Sequence, residues 1–352
     1  MENPARGLRQ ARSRAASPAL GSDRPCWRGD GADPRARPRA PCGPRPDEAR
    51  GAGGLRDAVP SRRRRQRGPT GRWSVRSRYD PAVYAPASLW PPGGPLLVAG
   101  PCALESEAMA VRVASELAAQ CASRNLPFVF KASFDKANRT AGSSYRGPGL
   151  DEGLRWLDAA RGAADVPILT DVHLPSQCAI AAEVADVLQI PAFLSRQTDL
   201  LAAAAATGRA VNLKKGQFLA PWQVKPALTK LSAAPQVWVT ERGTSFGHGD
   251  LVVDFRSFVT MSEATSRLIF DASHSAQTPG GGGDRSAGDR RWIPVLSRAA
   301  AGAGYDGLYL EVHPDPATAR SDRDTQWPLH EVGPLLDAFL AVRAARLSTA
   351  SA

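Results

Sequence analysis

The chain has 352 residues, of which 43% are hydrophobic and 22% charged, and no run of 18 consecutive apolar residues occurs. This length suits one large domain or two ordinary ones, and the missing apolar run argues against a membrane-spanning helix. The net charge of +11 is unevenly placed: residues 1–80 hold 20 Arg against 8 acidic residues, whereas the rest of the chain holds 25 basic and 26 acidic residues. The excess charge belongs to the beginning of the chain, so it gives no reason to expect a nucleic-acid partner for the rest.

The first 90 residues combine Arg, Pro and Gly with few aliphatic side chains, most clearly at residues 33–46 and 61–68. Such a composition buries too little apolar surface to offset the entropy of ordering. We therefore predict a disordered basic extension over residues 1–90 and a folded domain over residues 91–352. The extension has three open interpretations: a phosphate-binding tail, an organelle-targeting segment, or a segment without function. We favour the last, because eight acidic residues and many prolines are atypical of a targeting segment.

The five cysteines are too few for a disulfide framework in a chain of this length, and no secretory signal is recognisable. A reducing compartment is therefore expected, and we predict that the protein is cytoplasmic. In such a compartment a cysteine with a special role is a metal ligand or a nucleophile.

Eight short apolar runs occur from residue 95 onward, and most are separated by helix-like stretches rich in Ala, Leu and Arg. The runs are residues 96–101, 128–134, 167–173, 187–193, 210–215, 236–243, 267–274 and 307–314. Short, continuously apolar runs suit parallel strands that are buried on both faces. Helices are predicted at 105–124, 150–163 and 198–207. Eight such alternations over about 250 residues predict a (β/α)₈ TIM barrel; an open doubly wound sheet is the alternative, but no G-x-G-x-x-G follows the first strand.

Nearly every predicted strand ends in polar or charged residues. In a parallel barrel these ends share one rim, where active sites form. Only six lysines occur beside 39 arginines, which indicates that a compact ammonium group is needed where Lys is kept. Four of the six lie at or just beyond strand ends: Lys131, Lys136, Lys214 and Lys215.

Closure of the barrel would bring four potential metal ligands together. Cys102 follows the first strand, His274 closes the seventh, Glu311 lies on the eighth and Asp322 follows it. A thiolate, an imidazole and two carboxylates suit a borderline divalent ion such as Zn²⁺, Fe²⁺ or Mn²⁺. Without closure these residues have ordinary structural explanations. The Gly-rich residues 278–290 leave the same rim, either as a loose surface connection or as a cover or phosphate cradle over the site.

Eight sequence motifs carry a resemblance to one family. They are AGPCALES (99–106), FKASFDKANRT (130–140), TDVH (170–173), QIPAFLSRQTDLL (189–201), KKGQFLAPW (214–222), TERGTSFGHGDLVVDFRS (240–257), DASHSAQTPGG (271–281) and LEVHPDPATARSDRDTQWPL (310–329). Over about residues 95–345 the chain resembles the 3-deoxy-manno-octulosonate-8-phosphate synthases. The aldol-forming synthases of the shikimate pathway share the barrel, but they typically have K-P-R-T where this chain has KANRT (136–140).

The resemblance implies a (β/α)₈ barrel that assembles as a homotetramer. The implied reaction condenses phosphoenolpyruvate with D-arabinose 5-phosphate and water, and its product feeds the lipid A–core sugar of lipopolysaccharide. Metal-dependent members carry Cys in the first-strand motif where the others carry Asn. Cys102 therefore implies the metal-dependent class, with His274, Glu311 and Asp322 as the other ligands of a divalent ion (Zn, Fe or Mn).

The resemblance also implies roles for the polar rim residues. Those expected around phosphoenolpyruvate are Lys131, Lys136, Gln189, Lys214 and Arg242. Those expected around the sugar phosphate are Asn138, Arg139, Thr140, Asp171, His173, Phe193 and Arg196. Those expected to act in catalysis are Lys131, Lys136, His274 and Asp322.

The chain departs from the family pattern at one loop. Where the family usually has S-S-I-H-S, residues 140–144 read TAGSS, so a serine becomes threonine and a histidine becomes serine. His248 also stands where the family commonly has Tyr or a similar residue. Residue patterns alone leave open how this loop holds the sugar phosphate, and whether the metal polarises the aldehyde or activates water.

Overall fold

Eight parallel strands close into a barrel in the computed structural model, which describes residues 84–139, 141–283 and 286–350. The strands are β1 (Leu96–Gly100), β2 (Phe128–Lys131), β3 (Ile168–Asp171), β4 (Val187–Ile190), β5 (Ala210–Lys214), β6 (Val237–Glu241), β7 (Leu268–Asp271) and β8 (Gly307–His313). Each lies within one of the eight predicted runs. β1 pairs in parallel with both β2 and β8, which closes the ring and confirms the predicted (β/α)₈ barrel.

Helices alternate with the strands and cover the outside of the barrel. The α-helices are Pro86–Leu89, Glu107–Ala122, Leu150–Ala164, Pro175–Ala181, Thr198–Ala205, Val224–Lys230, Arg256–Ser262, Ala272–Ser275, Trp292–Ala303 and Val332–Ala350, and single 3₁₀ turns occur at Ala192–Leu194, Pro221–Gln223, Pro316–Thr318 and Leu329–Glu331. All three predicted helices are present. The first begins at Glu107 rather than 105, because the Ser106 side chain accepts a hydrogen bond from the Met109 amide and caps the helix there.

Alternate side chains of each strand pack into two different hydrophobic clusters. In β1, Leu96 and Val98 join the cluster inside the barrel, whereas Leu97 and Ala99 join the cluster between strands and helices. This division follows from the two-residue period of a strand. It explains why the sequence of each strand reads as continuously apolar.

Trp90 fills the barrel interior at the amino-terminal ends of the strands. Its ring meets the Trp238 ring edge-on, with 5.6 Å between centroids, and its Nε1 donates a 2.8 Å hydrogen bond to the Gly94 carbonyl. The preceding helix, Pro86–Leu89, belongs to the same packed unit, since Leu89 is also buried. The boundary predicted at residue 90 therefore falls inside packed chain. Most of the predicted disordered extension, residues 1–83, lies outside the described residues.

Short elements build the opposite rim. Thr244–Phe246 pairs with Asp250–Val252, and Trp327–Pro328 extends the sheet beside β8. Gln277–Thr278 pairs with Ala287–Gly288, and this pairing holds the two ends of the Gly-rich loop together. A Cβ on Gly288 would lie 2.3 Å from Cγ2 of Thr325 and 2.7 Å from the Ala276 carbonyl, so the contact between this loop and the loop after β8 requires glycine. The predicted Gly-rich connection is thus fixed at its base.

Candidate active site

A cavity of about 250 Å³ lies at the carboxyl ends of the strands. Eleven of the residues singled out from the sequence line it: Lys131, Lys136, Asn138, Arg139, Asp171, Gln189, Phe193, Lys214, Arg242, His274 and Asp322. Pro279, Gly280 and Ser286 of the Gly-rich loop also line it. The cavity therefore combines residues of strands β2, β3, β4, β5 and β8 with residues that follow β2, β4, β5, β6, β7 and β8.

The other predicted site residues have different positions. Cys102 and Glu311 are fully buried beside the cavity, where Glu311 contacts Lys131. His173 contacts Asp171, with 3.1 Å between Nε2 and Oδ2. Arg196 is exposed and is not among the residues that line the cavity. Thr140 lies outside the described residues.

Lys131 is the ammonium group at the base of the cavity. Its Nζ lies 3.0 Å from Oε1 of Glu311 and donates a 3.1 Å hydrogen bond to the Cys102 carbonyl. Nζ of Lys136 lies 3.8 Å from the same Glu311 oxygen. Burial alone would raise the pKa of Glu311, but the positive charges of Lys131, His274 and Lys136 outweigh it and hold that pKa well below its usual value. Glu311 is therefore an anion that orders two lysines.

Lys214 and His274 share a second buried carboxylate. Nζ of Lys214 donates to Oδ2 of Asp271, and Nδ1 of His274 lies 2.7 Å from the same oxygen. Nζ of Lys214 also lies 3.7 Å from the centre of the Tyr309 ring. Burial lowers the pKa of Lys214 to about 8, against the opposing charge of Asp271. This arrangement fixes the His274 ring and directs Nε2 away from Asp271.

A hydrogen-bonded row of side chains holds Gln189 in place. Oγ1 of Thr240 donates to Oδ1 of Asn212 at 2.7 Å, and Nδ2 of Asn212 donates to Oε1 of Gln189 at 3.1 Å. All three residues are buried. Because its oxygen is already an acceptor, the Gln189 amide nitrogen is the group left to donate toward the cavity.

Arg242 contributes a buried guanidinium group. Nη2 donates a 3.3 Å hydrogen bond to Oε1 of Gln277, while Nη1 has no hydrogen-bond partner among the described residues. Burial lowers the pKa of Arg242, but an arginine keeps its proton at any physiological pH. Nη2 of Arg139, on the other side of the cavity, likewise has no partner within the described part of the chain. Both groups are suited to receive anionic oxygens.

Cys102, Glu311 and Asp322 form a group whose potential ligand atoms all lie within 4.8 Å of one another. His274, the fourth predicted ligand, is adjacent: its Nε2 is 3.7 Å from Oε1 of Glu311 and 3.8 Å from Oδ2 of Asp322. Burial, together with Asp322 and Glu311, raises the pKa of the Cys102 thiol. A divalent cation would reverse that effect, because it attracts the same negative charges that disfavour the thiolate.

The donor atoms of Cys102, His274, Glu311 and Asp322 are chemically suited to a metal ion. Oε2 of Glu311 is buried and has no hydrogen-bond partner in the described residues, so one carboxylate oxygen is available as a ligand. The Nδ1 contact of His274 with Asp271 is the outer-shell arrangement that orients a metal-binding imidazole. Sulfur, nitrogen and oxygen donors together suit a borderline divalent ion. The residues fit such an ion.

Several residues of the site were not predicted from the sequence. Asp271 is the last residue of β7, and no role was predicted for it. Tyr309 lies within an apolar run, where it is indistinguishable from a core aromatic. Arg320 and Arg323 line the cavity from the loop after β8. The guanidinium of Arg320 also lies 3.5 Å from the centre of the Tyr145 ring. The positions of these loop residues depend on contacts between distant loops, which no local pattern reveals.

Comparison with known proteins gives one consistent result. The profile of the DAHP synthetase I family matches residues 93–337. Among curated relatives, 2-dehydro-3-deoxyphosphooctonate aldolase of Acidithiobacillus ferrooxidans is 53% identical over 242 residues, covering 68% of this chain and 86% of the relative. This chain therefore belongs to the 2-dehydro-3-deoxyphosphooctonate aldolases of the DAHP synthetase I family. The family resemblance predicted from the motifs is thus confirmed.

Two further 2-dehydro-3-deoxyphosphooctonate aldolases have similar identities. That of Nitratidesulfovibrio vulgaris is 53% identical over 248 residues, or 70% of this chain and 91% of the relative. That of Synechococcus sp. is 51% identical over 256 residues, or 72% of this chain and 90% of the relative. The family match begins at residue 93, after most of the basic segment. In the part of the chain that the structure describes, no helix has both the length and the apolar composition needed to cross a bilayer.

Proposed function

We propose that this member of the 2-dehydro-3-deoxyphosphooctonate aldolases condenses phosphoenolpyruvate with D-arabinose 5-phosphate and water. The products are 3-deoxy-D-manno-octulosonate 8-phosphate and inorganic phosphate, within lipopolysaccharide biosynthesis. The observation that carries the proposal is a cavity lined by several cationic side chains, in a chain about half identical to enzymes of that name. Both substrates are anions, so such a cavity neutralises and positions them.

Phosphoenolpyruvate would occupy the deep part of the cavity. Lys131 and Lys214 are held there by Glu311 and Asp271, which leaves their remaining N–H groups for the carboxylate and phosphate. Nη1 of Arg242 has no partner among the residues described, and it would bind a phosphate oxygen. Lys136 and the Gln189 amide complete this set. Charge-assisted hydrogen bonds of this kind are about twice as strong as neutral ones.

The sugar phosphate would lie nearer the mouth of the cavity. Asn138 and Arg139 line it on the loop after β2, and Nη2 of Arg139 lacks a partner in the described residues. Asp171 and His173 form a hydrogen-bonded pair along the path. Oδ1 of Asp171 has no hydrogen-bond partner in the described part of the chain and would accept from a sugar hydroxyl. Phe193 is 53% exposed and would cover the open side. The proposed contacts of Thr140 and Arg196 rest on the family resemblance alone.

The divalent ion would be held by Cys102, His274, Glu311 and Asp322. Zn²⁺, Fe²⁺ and Mn²⁺ all suit this donor set. When bound there, the ion supplies Lewis acidity, which polarises an oxygen or lowers the pKa of a water. His274 would bind through Nε2, because Nδ1 is engaged by Asp271.

The proposed reaction forms one carbon–carbon bond and one carbon–oxygen bond, and it breaks the carbon–oxygen bond to the phosphate. C3 of phosphoenolpyruvate attacks the aldehyde carbon of arabinose 5-phosphate, and the aldehyde oxygen becomes a hydroxyl. Water adds at C2, and phosphate leaves with its bridging oxygen. The residues of the chain hold the two carbons in reach of each other and stabilise the negative charge on the departing phosphate through Lys136 and Arg242.

The remaining expectations from the sequence are part of the same proposal. The enzyme would be cytoplasmic and homotetrameric, with no nucleic-acid or membrane partner. Of the extension predicted over residues 1–90, the part before the helix Pro86–Leu89 would have no role in turnover, and the synthase domain, predicted over residues 91–352, would also include that helix and Trp90. The family relationship and the near-neutral charge of the chain after residue 80 support these points.

The decisive assay measures phosphate released from phosphoenolpyruvate with each of two acceptors. Arabinose 5-phosphate is expected to support turnover, whereas erythrose 4-phosphate, the acceptor of the shikimate-type reaction, is not. Mass spectrometry of the product should detect an eight-carbon phosphosugar. Phosphate release with erythrose 4-phosphate but not with arabinose 5-phosphate would contradict the proposal. It would favour the reaction of the shikimate-pathway synthases.

A further inference from the structure

The side chains of Cys102 and Ser321 meet inside the protein although they lie on loops 219 residues apart. Cys102 follows β1, and Ser321 lies in the loop after β8. Oγ of Ser321 is 2.7 Å from Sγ of Cys102. Ser321 is 5% exposed and Cys102 is completely buried, so water does not compete for this contact. It is the one hydrogen bond of the Ser321 hydroxyl within the described residues.

The direction of this hydrogen bond follows from the number of hydrogens. A thiol has one, and Cys102 donates it to Oδ2 of Asp322 at 3.3 Å. The sulfur is then an acceptor toward Ser321, and the serine hydroxyl is the donor. When the sulfur is a thiolate it has no hydrogen left, so the same direction holds more strongly.

Gln326 fixes both partners of the contact. Its Nε2 donates to the Ser321 carbonyl at 2.8 Å, and its Oε1 accepts from the Cys102 amide at 3.3 Å. The residue is only 1% exposed. One buried side-chain amide therefore ties the loop after β1 to the loop after β8. The amides of Thr325 and Gln326 both donate to the Asp322 carbonyl, which holds Asp322 in a left-handed conformation with φ of 47°.

We propose that Ser321 is a positioning residue of the metal site, whose hydroxyl donates a hydrogen bond to the Cys102 thiolate. The proposal rests on the metal site described under the proposed function. A donor to a thiolate withdraws electron density from the sulfur and fixes the direction of its lone pairs. Outer-shell partners of this type orient ligands and tune the bound ion. Ser321 thus sets the donor strength of the sulfur toward the metal.

Cobalt(II) provides a direct probe, because a sulfur ligand gives it a charge-transfer absorption in the near ultraviolet. The full-length protein is to be stripped of metal, loaded with Co²⁺ and compared with three variants at Ser321. Ser321→Thr keeps the hydroxyl. Ser321→Val has nearly the same shape as Ser321→Thr but no hydroxyl, and Ser321→Ala removes the hydroxyl without adding bulk. Cys102→Ala identifies the sulfur band.

The expected result separates the variants by their hydroxyl. Ser321→Val and Ser321→Ala should move the band to longer wavelength, because a more electron-rich sulfur transfers charge at lower energy, and Ser321→Thr should leave it in place. If Ser321→Val or Ser321→Ala binds cobalt and its band is not shifted, Ser321 does not have the proposed role. That result would not contradict the metal site itself. If the unaltered protein binds Co²⁺ without a band that depends on Cys102, the proposed metal site itself is wrong.

Discussion

Trp90 gives a test of where the functional domain begins. The side chain is 2% exposed, meets the Trp238 ring edge-on and hydrogen-bonds to Gly94 through Nε1. Removing a buried aromatic side chain leaves a cavity, and Trp90→Ala is expected to lower the free energy of unfolding by about 3–5 kcal/mol. For a domain of this size that loss corresponds to a fall in melting temperature of roughly 6–20 °C. Below the lowered melting temperature, the site at the other end of the barrel should keep its activity.

Two truncations extend the same test. Deletion of residues 1–83 keeps Pro86–Leu89 and Trp90, so melting temperature and turnover should be unchanged. Deletion of residues 1–90 removes them, and it should destabilise the protein at least as much as Trp90→Ala. Trp292→Ala is the matched control, because Trp292 is 56% exposed and a surface change of this kind is expected within about 0.5 kcal/mol.

Two outcomes would refute this reasoning. If Trp90→Ala melts at the same temperature as the unaltered protein, the barrel end does not depend on the tryptophan. If deletion of residues 1–83 reduces turnover at constant melting temperature, the basic segment has a role in catalysis. Thermal unfolding followed by circular dichroism, together with the phosphate-release assay, distinguishes these cases.

Three further predictions concern the site. Cys102→Ala should abolish turnover, and a chelator should do the same to the unaltered protein, with Mn²⁺, Zn²⁺ or Fe²⁺ restoring only the chelated enzyme. Gln326→Leu should weaken metal binding about 10–100-fold in equilibrium dialysis, because it removes the side-chain hydrogen bonds that connect the two loops carrying ligands. Arg242→Met should reduce kcat/KM roughly 10²–10³-fold, as removal of one buried donor to a reacting anion does.

Each of these predictions has its own control. Full activity of the metal-free protein would remove Cys102 from the ligand set. Unchanged metal affinity in Gln326→Leu would mean that the two loops hold their positions independently. Arg155→Met is the control for Arg242→Met, since Arg155 is exposed on the helix Leu150–Ala164 and should leave kcat/KM unaltered. Equal losses in the two arginine variants would contradict a specific role for Arg242.

The barrel and most of its polar rim were predictable because both follow from local patterns. A strand buried on both faces is a short apolar run, and the residues just beyond it are forced to the same rim by the parallel arrangement. The positions of Lys131, Gln189 and Lys214 at this rim therefore follow from the sequence pattern. The scarcity of lysine gave a second, independent signal at two of these positions.

Other features depend on contacts that no local pattern encodes. Trp90 follows a stretch rich in Pro and Gly, so its segment reads as unstructured, yet the open end of the barrel supplies the apolar surface that it needs. Tyr309 lies under Lys214 because the closed ring brings side chains of β5 and β8, which are not neighbouring strands, together inside the barrel. Gln326 joins loops 224 residues apart in the sequence. These features follow from closure of the ring.

Closure also explains why the ligand group exists at all. In the register of β1 and β8, Gly100 stands opposite Glu311, and Cys102 lies two residues further along. A Cβ at Gly100 would lie 2.0 Å from the Lys131 carbonyl, so only glycine lets the end of β1 approach β2 this closely. That approach allows Nζ of Lys131 to reach the Cys102 carbonyl and the Glu311 carboxylate together. The ammonium at the base of the cavity and the acidic ligand group beside it thus depend on the same glycine.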